Sequence, residues 1–201
     1  MAAARGTDLS GLEALALQQG GYFDRGDALA HGLRDNHLHH HLRTGRFERV
    51  FPGVYRVARA PLSPQDQHLR AYVWTNYRGA LSHESALAVH DLSDVVPNRT
   101  HVTVPGRFHR AGPFVVHLSA LPNEDLTWRD GFRVTSPARS IVDAAFDGTD
   151  PEQVRRAVQE ALERAVATPD QIRSALARSG YRTGRRAVEA LVEAALRHAA
   201  A

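Results

Sequence analysis

Glycine breaks constrain the N-terminal part of this chain more than any other feature. Gly20-Gly21, Gly32, Gly45 and Gly53 leave only short segments between them, so long helices and long strands are both excluded there. From Leu9, LSGLEALALQQGG carries Leu12, Leu15, Ala16 and Leu17 at a helical spacing that stops at the glycine pair. Tyr22-Phe23 makes a short apolar step. Asp24 can cap a second helix, Arg25 to His31, which Gly32 ends, and Asp35 can cap a third, Asn36 to Arg43, closed by Thr44-Gly45. RFERVF and GVYRVA then alternate apolar and charged residues around Pro52-Gly53, which predicts a β-hairpin. Helix, helix, turn, helix, hairpin is the order of a winged helix-turn-helix, with the second and third helices as the reading unit and the hairpin as the wing.

Charge points to the same segment. Every one of the 25 basic residues is arginine, and the chain's net charge is only +3. Residues 31 to 60 hold six arginines (34, 43, 46, 49, 56 and 59) against Asp35 and Glu48, a balance of +4 in one short stretch. Such a concentration is the electrostatic footprint of a polyanion-binding face. There is no cysteine, which excludes disulfides and thiolate chemistry. No apolar run approaches the roughly 20 residues of a membrane span. MAAARGTDLSG does not read as a secretory leader, and a cytoplasmic protein is expected.

Beyond APLSPQDQ (60 to 67), taken as the domain boundary, the pattern changes. A helix is predicted over Gln65 to Asn76, followed by a Ser82-capped helix through His90. THVTVP and FVVHL read as strands, and LTWRDGFRVT as a hairpin turned at Asp130-Gly131. Ser136-Pro137, Asp150-Pro151 and Thr168-Pro169 each place a capping residue before proline and start the helices of a C-terminal tail. The final helix, AVEALVEAAL, has a stripe of Val188, Leu191, Val192 and Ala195 that can pack on its own domain, the preferred reading, or on a second copy. The expected fold class is therefore α+β: a winged helix-turn-helix at 1–60, then a mixed α/β domain with a helical tail at 61–201.

Five of the twelve histidines lie between His31 and His41. On a helix Leu38 and Leu42 point inward, leaving Asn36, His40 and Arg43 opposite, His37 alongside, and His39 and His41 on the flanks. Asn suits adenine and Arg suits guanine in the major groove, so Asn36, His37 and His40 are candidate base readers. Arg43, Arg46, Arg49 and Arg56 are candidate phosphate contacts. Two other readings stand beside this one: a metal site on His37 and His41, which lacks nearby free carboxylates, and a solvated polar face. The hairpin and the flanking arginines favour DNA, and neither a metal nor a cofactor is expected.

LALQQGGYFDRGDALAHGL, NHLHHHLRTGRFERVFPGVYRV, SHESALAVHDL, THVTVP and VTSPARSIVDAA together resemble the AbiEi family of type IV toxin-antitoxin antitoxins, over roughly residues 9 to 146. The most specific part comprises Gly21, Phe23 and Arg25, then Gly45, Arg46, Phe47, Arg49, Val50, Gly53, Val54 and Tyr55. The resemblance implies a winged helix that binds the promoter of its own operon and represses it, and a C-terminal domain that opposes a nucleotidyltransferase toxin. It places Asn36, His37, His40 and Arg43 on the reading helix, and Arg46 and Arg49 against the DNA backbone. TSPARSIVD and the preceding hairpin are also similar to the front part of proteins that continue into a Vsr-like endonuclease, but no nuclease activity is carried over. The alternatives are a protein-interaction module that neutralises a toxin with little DNA affinity, and a solitary regulator.

An enzyme is not expected. Ser82-His83-Glu84 with His90-Asp91 offers a nucleophile, base and acid, but Ser82 reads as a helix cap and Glu84 as a first-turn acid. GRFHRAG (106 to 112) lacks the spacing and lysine of a phosphate loop. Arg107 and Arg110 read as a solvated loop, and Trp128 and Phe132 as a cross-strand pair.

Overall fold

A computed structural model describes residues 6–199. Residues 1–5, part of the stretch read above as lacking a leader, lie outside the described residues. No described helix is long and apolar enough to cross a membrane. Contacts divide the chain into a first unit that runs up to Arg78 and takes in Asp130–Phe132, and a second from Gly79 onward.

The first unit follows the predicted order with one addition. It comprises α1 (Leu9–Gln18), β1 (Tyr22–Asp24), α2 (Arg25–Ala30), α3 (Asp35–Arg43), β2 (Phe47–Phe51), β3 (Val54–Val57) and α4 (Asp66–Trp74). The addition is β1: the Tyr22-Phe23 step pairs antiparallel with β3, giving a three-stranded sheet of order β1-β3-β2. Three residues are too few for a period to show in the sequence. Asp8 caps α1 through the Gly11 amide, and Asp24 and Asp27 cap α2 reciprocally. The glycine breaks act as helix stops. At the end of α3, Gly45 takes φ +71°, the Arg46 amide donates to the His41 carbonyl and the Gly45 amide to that of Leu42, a left-handed cap of the kind glycine favours. Gly20 is both left-handed (φ +68°) and tightly packed, since a Cβ there would lie 2.5 Å from Leu69 Cδ1. Leu12, Phe23, Leu33, Leu38, Phe47 and Val57 form the core.

Leu69 belongs to α4, which also buries Tyr72, Val73 and Trp74. The observed division consequently falls after α4 rather than at residues 60 to 67. The prolines there mark a connection inside the first unit, and the sequence cannot distinguish that from a linker between domains.

The second unit contains β4 (Ala80–Leu81), α5 (His83–Val89), β5 (His101–Val104), β6 (Val115–Leu118), a 3₁₀ turn (Asn123–Asp125), β7 (Leu126–Arg129), β8 (Phe132–Thr135), α6 (Pro137–Asp147), α7 (Pro151–Glu163), α8 (Pro169–Arg178) and α9 (Arg185–Ala199). The sheet order is β6-β5-β4-β8-β7, with β4 antiparallel to β5 and parallel to β8, and β5 parallel to β6. All three Ser/Asp/Thr-Pro pairs start helices as predicted, each with the capping side chain accepting a backbone N–H. The stripe on α9 packs in the unit's own core, where Val188, Val192 and Ala195 are buried with Ile141, Val154, Val158 and Ile172. Trp128 and Phe132 are not a cross-strand pair. The two-residue turn sets Trp128 opposite Arg133, whose guanidinium lies 5.4 Å from the indole centroid, while Phe132 is buried.

The centre of this unit holds a charge. Arg139 on α6 is 1 % exposed, and its guanidinium donates to Asp143 Oδ1 (2.7 Å) and to Asp125 Oδ2 (2.8 Å), both on fully buried residues. Arg178 on α8 closes the group on Asp125 Oδ1. Burial pushes the Asp143 carboxyl up to about 6, against the pull of Arg139. Removing one partner of such a group strands buried charge. Arg139→Ala is therefore expected to destabilise the protein by about 3–5 kcal/mol in urea denaturation. Arg139→Lys should recover only part of the loss, because an ammonium lacks the fork that meets both carboxylates.

Candidate nucleic-acid interface

Position and polarity stabilise α3 before any ligand is considered. Asp35 lies in its first turn and His40, His41 and Arg43 in its last, matching the helix dipole at both ends. Leu38 is buried and Leu42 packs beside it, four residues on, so the helix is anchored along one stripe. Asn36, His39, His40 and Arg43 are exposed. Arg34 before the helix and Arg49 on β2 are exposed as well, and Arg34, Arg43 and Arg49 make no ion pair with any described residue. The arrangement offers a carboxamide, two imidazoles and a guanidinium on one helix, with further guanidinium groups before it and on the hairpin. These groups can donate to base edges and phosphate oxygens.

Four predicted side chains have different surroundings from those expected. Arg56 is a correction: it is 6 % exposed, donates to the Ala60 carbonyl and lies over the Tyr22 ring at 5.8 Å, out of reach of a phosphate. Its place on β3, the central strand of the three-stranded sheet, accounts for this. His37 is half-buried, and its Nδ1 accepts the Arg34 amide at 3.3 Å, so it closes the start of the helix. Asp35 does not cap; Arg34 occupies that position, and Asp35 forms a two-pronged ion pair with Arg25 at 2.9 Å for each contact. His41 packs on Phe47 with ring centroids 5.2 Å apart, and burial pushes its pKa below the ordinary value, with His40 and Arg46 acting in the same direction.

Arg46, directly after Gly45, is 43 % exposed but engaged. Its Nε and Nη2 donate to Glu13 Oε1 and Oε2 at 2.7 and 3.0 Å, and Arg59 Nη2 reaches Oε2 at 2.9 Å. Glu13, not singled out from the sequence, is nearly buried and shared by two arginines. A signal was present. Leu9, Leu12, Glu13 and Ala16 occupy i, i+3, i+4 and i+7 of α1, and a carboxylate at an inward position requires a cationic partner.

Of Ser82, His83, Glu84 and His90, the first two are in contact, while Glu84 and His90 find partners outside the set. Glu84 accepts from Thr149 (3.0 Å), and His90 Nε2 lies 2.8 Å from the Thr135 carbonyl. Ser82 sits at the cap position of α5, yet its side chain caps nothing; its Oγ contacts His83 Nδ1 and accepts from Thr103, 2.8 Å in each case.

Comparison with known proteins covers most of the chain. Residues 12–58 match a family described as "Transcriptional regulator, AbiEi antitoxin", and residues 77–193 match "AbiEi antitoxin C-terminal domain". No curated protein matches. Among solved structures, the crystal structure of the RV2827C protein from Mycobacterium tuberculosis is similar, with a TM-score of 0.59 and 14 % identity over 96 % of this chain and 80 % of that one. At that identity the likeness concerns the fold alone.

The Glu13 carboxyl is held below its ordinary value of 4.5, first by the hydrogen bond from Arg46 and then by the charges of Arg46, Arg59 and His41, while burial opposes them. An acid depressed in the folded state contributes stability that is present above the unfolded pKa and lost as pH falls through the folded one. Amide protection of α1 is therefore expected to fall as pH is lowered below the ordinary value of 4.5, and Glu13→Gln should flatten that dependence.

Proposed function

The chain belongs to the AbiEi antitoxin family of transcriptional regulators, and from that premise we propose that it is a cytoplasmic, sequence-specific DNA-binding repressor of its own promoter. In this reading α3 enters the major groove. The observation that carries it is the polarity of α3: Leu38 and Leu42 are anchored in the core while Asn36, His39, His40 and Arg43 face solvent between unpaired Arg34 and Arg49. Asn36 and His40 read bases, and Arg43 and Arg49 hold phosphates. Arg46 reaches the backbone with one edge of its guanidinium while Glu13 fixes the other.

A second role is proposed for the second unit, opposition to a nucleotidyltransferase toxin, supported by the match of residues 77–193 to the antitoxin C-terminal domain. The two roles separate experimentally. The purified full chain is titrated against its own upstream duplex and a scrambled one at two salt concentrations. Specific binding should weaken with salt in proportion to the phosphates engaged, and Arg43→Ala should lower the slope of log K against log salt by about one. Asn36→Ala should relax discrimination at one base position by about 1–3 kcal/mol. Equal affinity for both duplexes at both salts would overturn the repressor reading. Arg43→Ala and Arg46→Ala should abolish repression while co-expression with a neighbouring toxin gene still permits growth; loss of both together would contradict the division of roles.

A further inference from the structure

Three histidines outside the α3 cluster meet in the second unit. His83 is the first residue of α5, His101 opens β5 and His117 lies on β6. The parallel register pairs Thr103 with His117, and residues 101 and 103 share a face of the strand, so His101 and His117 project from the same side of the sheet. α5 packs on β5 and brings His83 to them. His101 Nδ1 lies 3.1 Å from His117 Nε2, the His83 and His117 rings stack at 3.5 Å, and one nitrogen from each of the three falls within 4.8 Å of the others. Among the described residues, this is the group of histidines and carboxylates whose ligand atoms converge; the histidines of α3 do not.

The contacts of the group crowd on one nitrogen, His101 Nδ1. A neutral imidazole carries one N–H. His101 Nδ1 faces both His117 Nε2 and, at 3.4 Å, Asp147 Oδ2. A proton on His101 Nδ1 would have to serve both neighbours, and without it the Nδ1 lone pair faces the carboxylate. A cation placed among the three would take lone pairs from all of them. Tetrahedral bonds of about 2.0–2.1 Å put neighbouring nitrogens about 3.3 Å apart, and on binding the stacked rings would turn so that their lone pairs meet at the ion.

We propose that His83, His101 and His117 bind a divalent transition-metal ion of the zinc class, with the Asp147 carboxylate, 3.4 Å from His101 Nδ1, as an outer partner. Oriented outer partners are in place. Ser82 Oγ, itself held by Thr103, lies 2.8 Å from His83 Nδ1, and Tyr181 Oη stands 3.3 Å from His83 Nε2; one of these contacts would give way to the ion and the other would remain as the outer partner. Burial pushes the pKa of each imidazole down, His83 to about 2, which keeps the lone-pair form that a metal requires. His83 also holds φ +56°, a left-handed conformation that is uncommon for a residue with a side chain and aims it at the strands. The ion would staple the start of α5 to the β5–β6 edge of the sheet and to the end of α6.

The test uses the full chain, stripped with a chelator and titrated first with cobalt(II) and then with zinc(II). One equivalent of cobalt should give the visible bands of a tetrahedral site, zinc should displace it, and zinc should raise the midpoint of thermal unfolding. His117→Asn should weaken zinc binding by more than about 100-fold, beyond the range of an outer-shell partner. Replacing His37, His39, His40 and His41 together by Asn should leave it unchanged. If His117→Asn fails to fold, Asp147→Asn, whose side chain is 36 % exposed, provides the second measurement and should weaken binding at least about tenfold. Absence of tetrahedral bands together with unfolding indifferent to zinc would overturn the site, as would binding lost only in the α3 variant.

Discussion

Each half of this chain is organised around a charge withdrawn from water, and a withdrawn charge requires an opposite one beside it. In the second unit the charge is Arg139, which meets Asp143 one turn on in α6 and brings the 3₁₀ turn before β7 into contact with α6 through Asp125, while Arg178 adds α8 to the Asp125 carboxylate. In the first unit it is Glu13, which ties α1 to Arg46 at the start of the wing and to Arg59 beyond it. Neither arrangement adds much stability over an apolar core of the same volume, since desolvation offsets most of the attraction. Its contribution is specificity of position: a carboxylate that accepts from two guanidinium groups leaves little freedom in where those groups lie.

That constraint shapes the proposed reading surface. α3 is anchored by Leu38 and Leu42, and its C-terminal stop at Gly45 delivers Arg46 straight onto Glu13. The end of α3 and the start of β2 are thus fixed at one point. On the other side, Asp35 in the first turn of α3 is held by Arg25 of α2, which ties the two helices together. Basic residues in this segment therefore divide into those engaged within the unit (Arg25, Arg56, Arg59 and one edge of Arg46) and those left to solvent (Arg34, Arg43 and Arg49). A count of arginines does not make this distinction, because a guanidinium within reach of a carboxylate has given up much of its charge to it.

Histidine shows the same division. The conspicuous cluster in α3 spreads around a helix, so its rings point in different directions: His37 caps, His41 packs on Phe47, and His39 and His40 face solvent. The inconspicuous histidines at 83, 101 and 117 lie far apart in sequence and stack in space. Local density of a ligand-forming residue is a poor guide to a shared site when the local structure is helical, since neighbours are turned by about 100° from one another.

Much of the scaffold was legible in the residues. Gly20, Gly32 and Gly45 stop helices because a left-handed residue favours glycine, and the Ser-Pro, Asp-Pro and Thr-Pro pairs start them because proline tolerates the first helical position and the residue before it can cap. These are local signals, decided within a few residues, and they placed the helices of both units and the β2–β3 wing. The short strands β1 and β4 carried no period long enough to read. That Arg56 is buried, that Arg46 is shared with Glu13, that α4 joins the first unit, and that His83 meets His101 and His117 were decided only by the tertiary structure. Each depends on which distant element arrives beside the side chain, and sequence patterns of helix and strand fix the direction in which a residue points without fixing what it will meet.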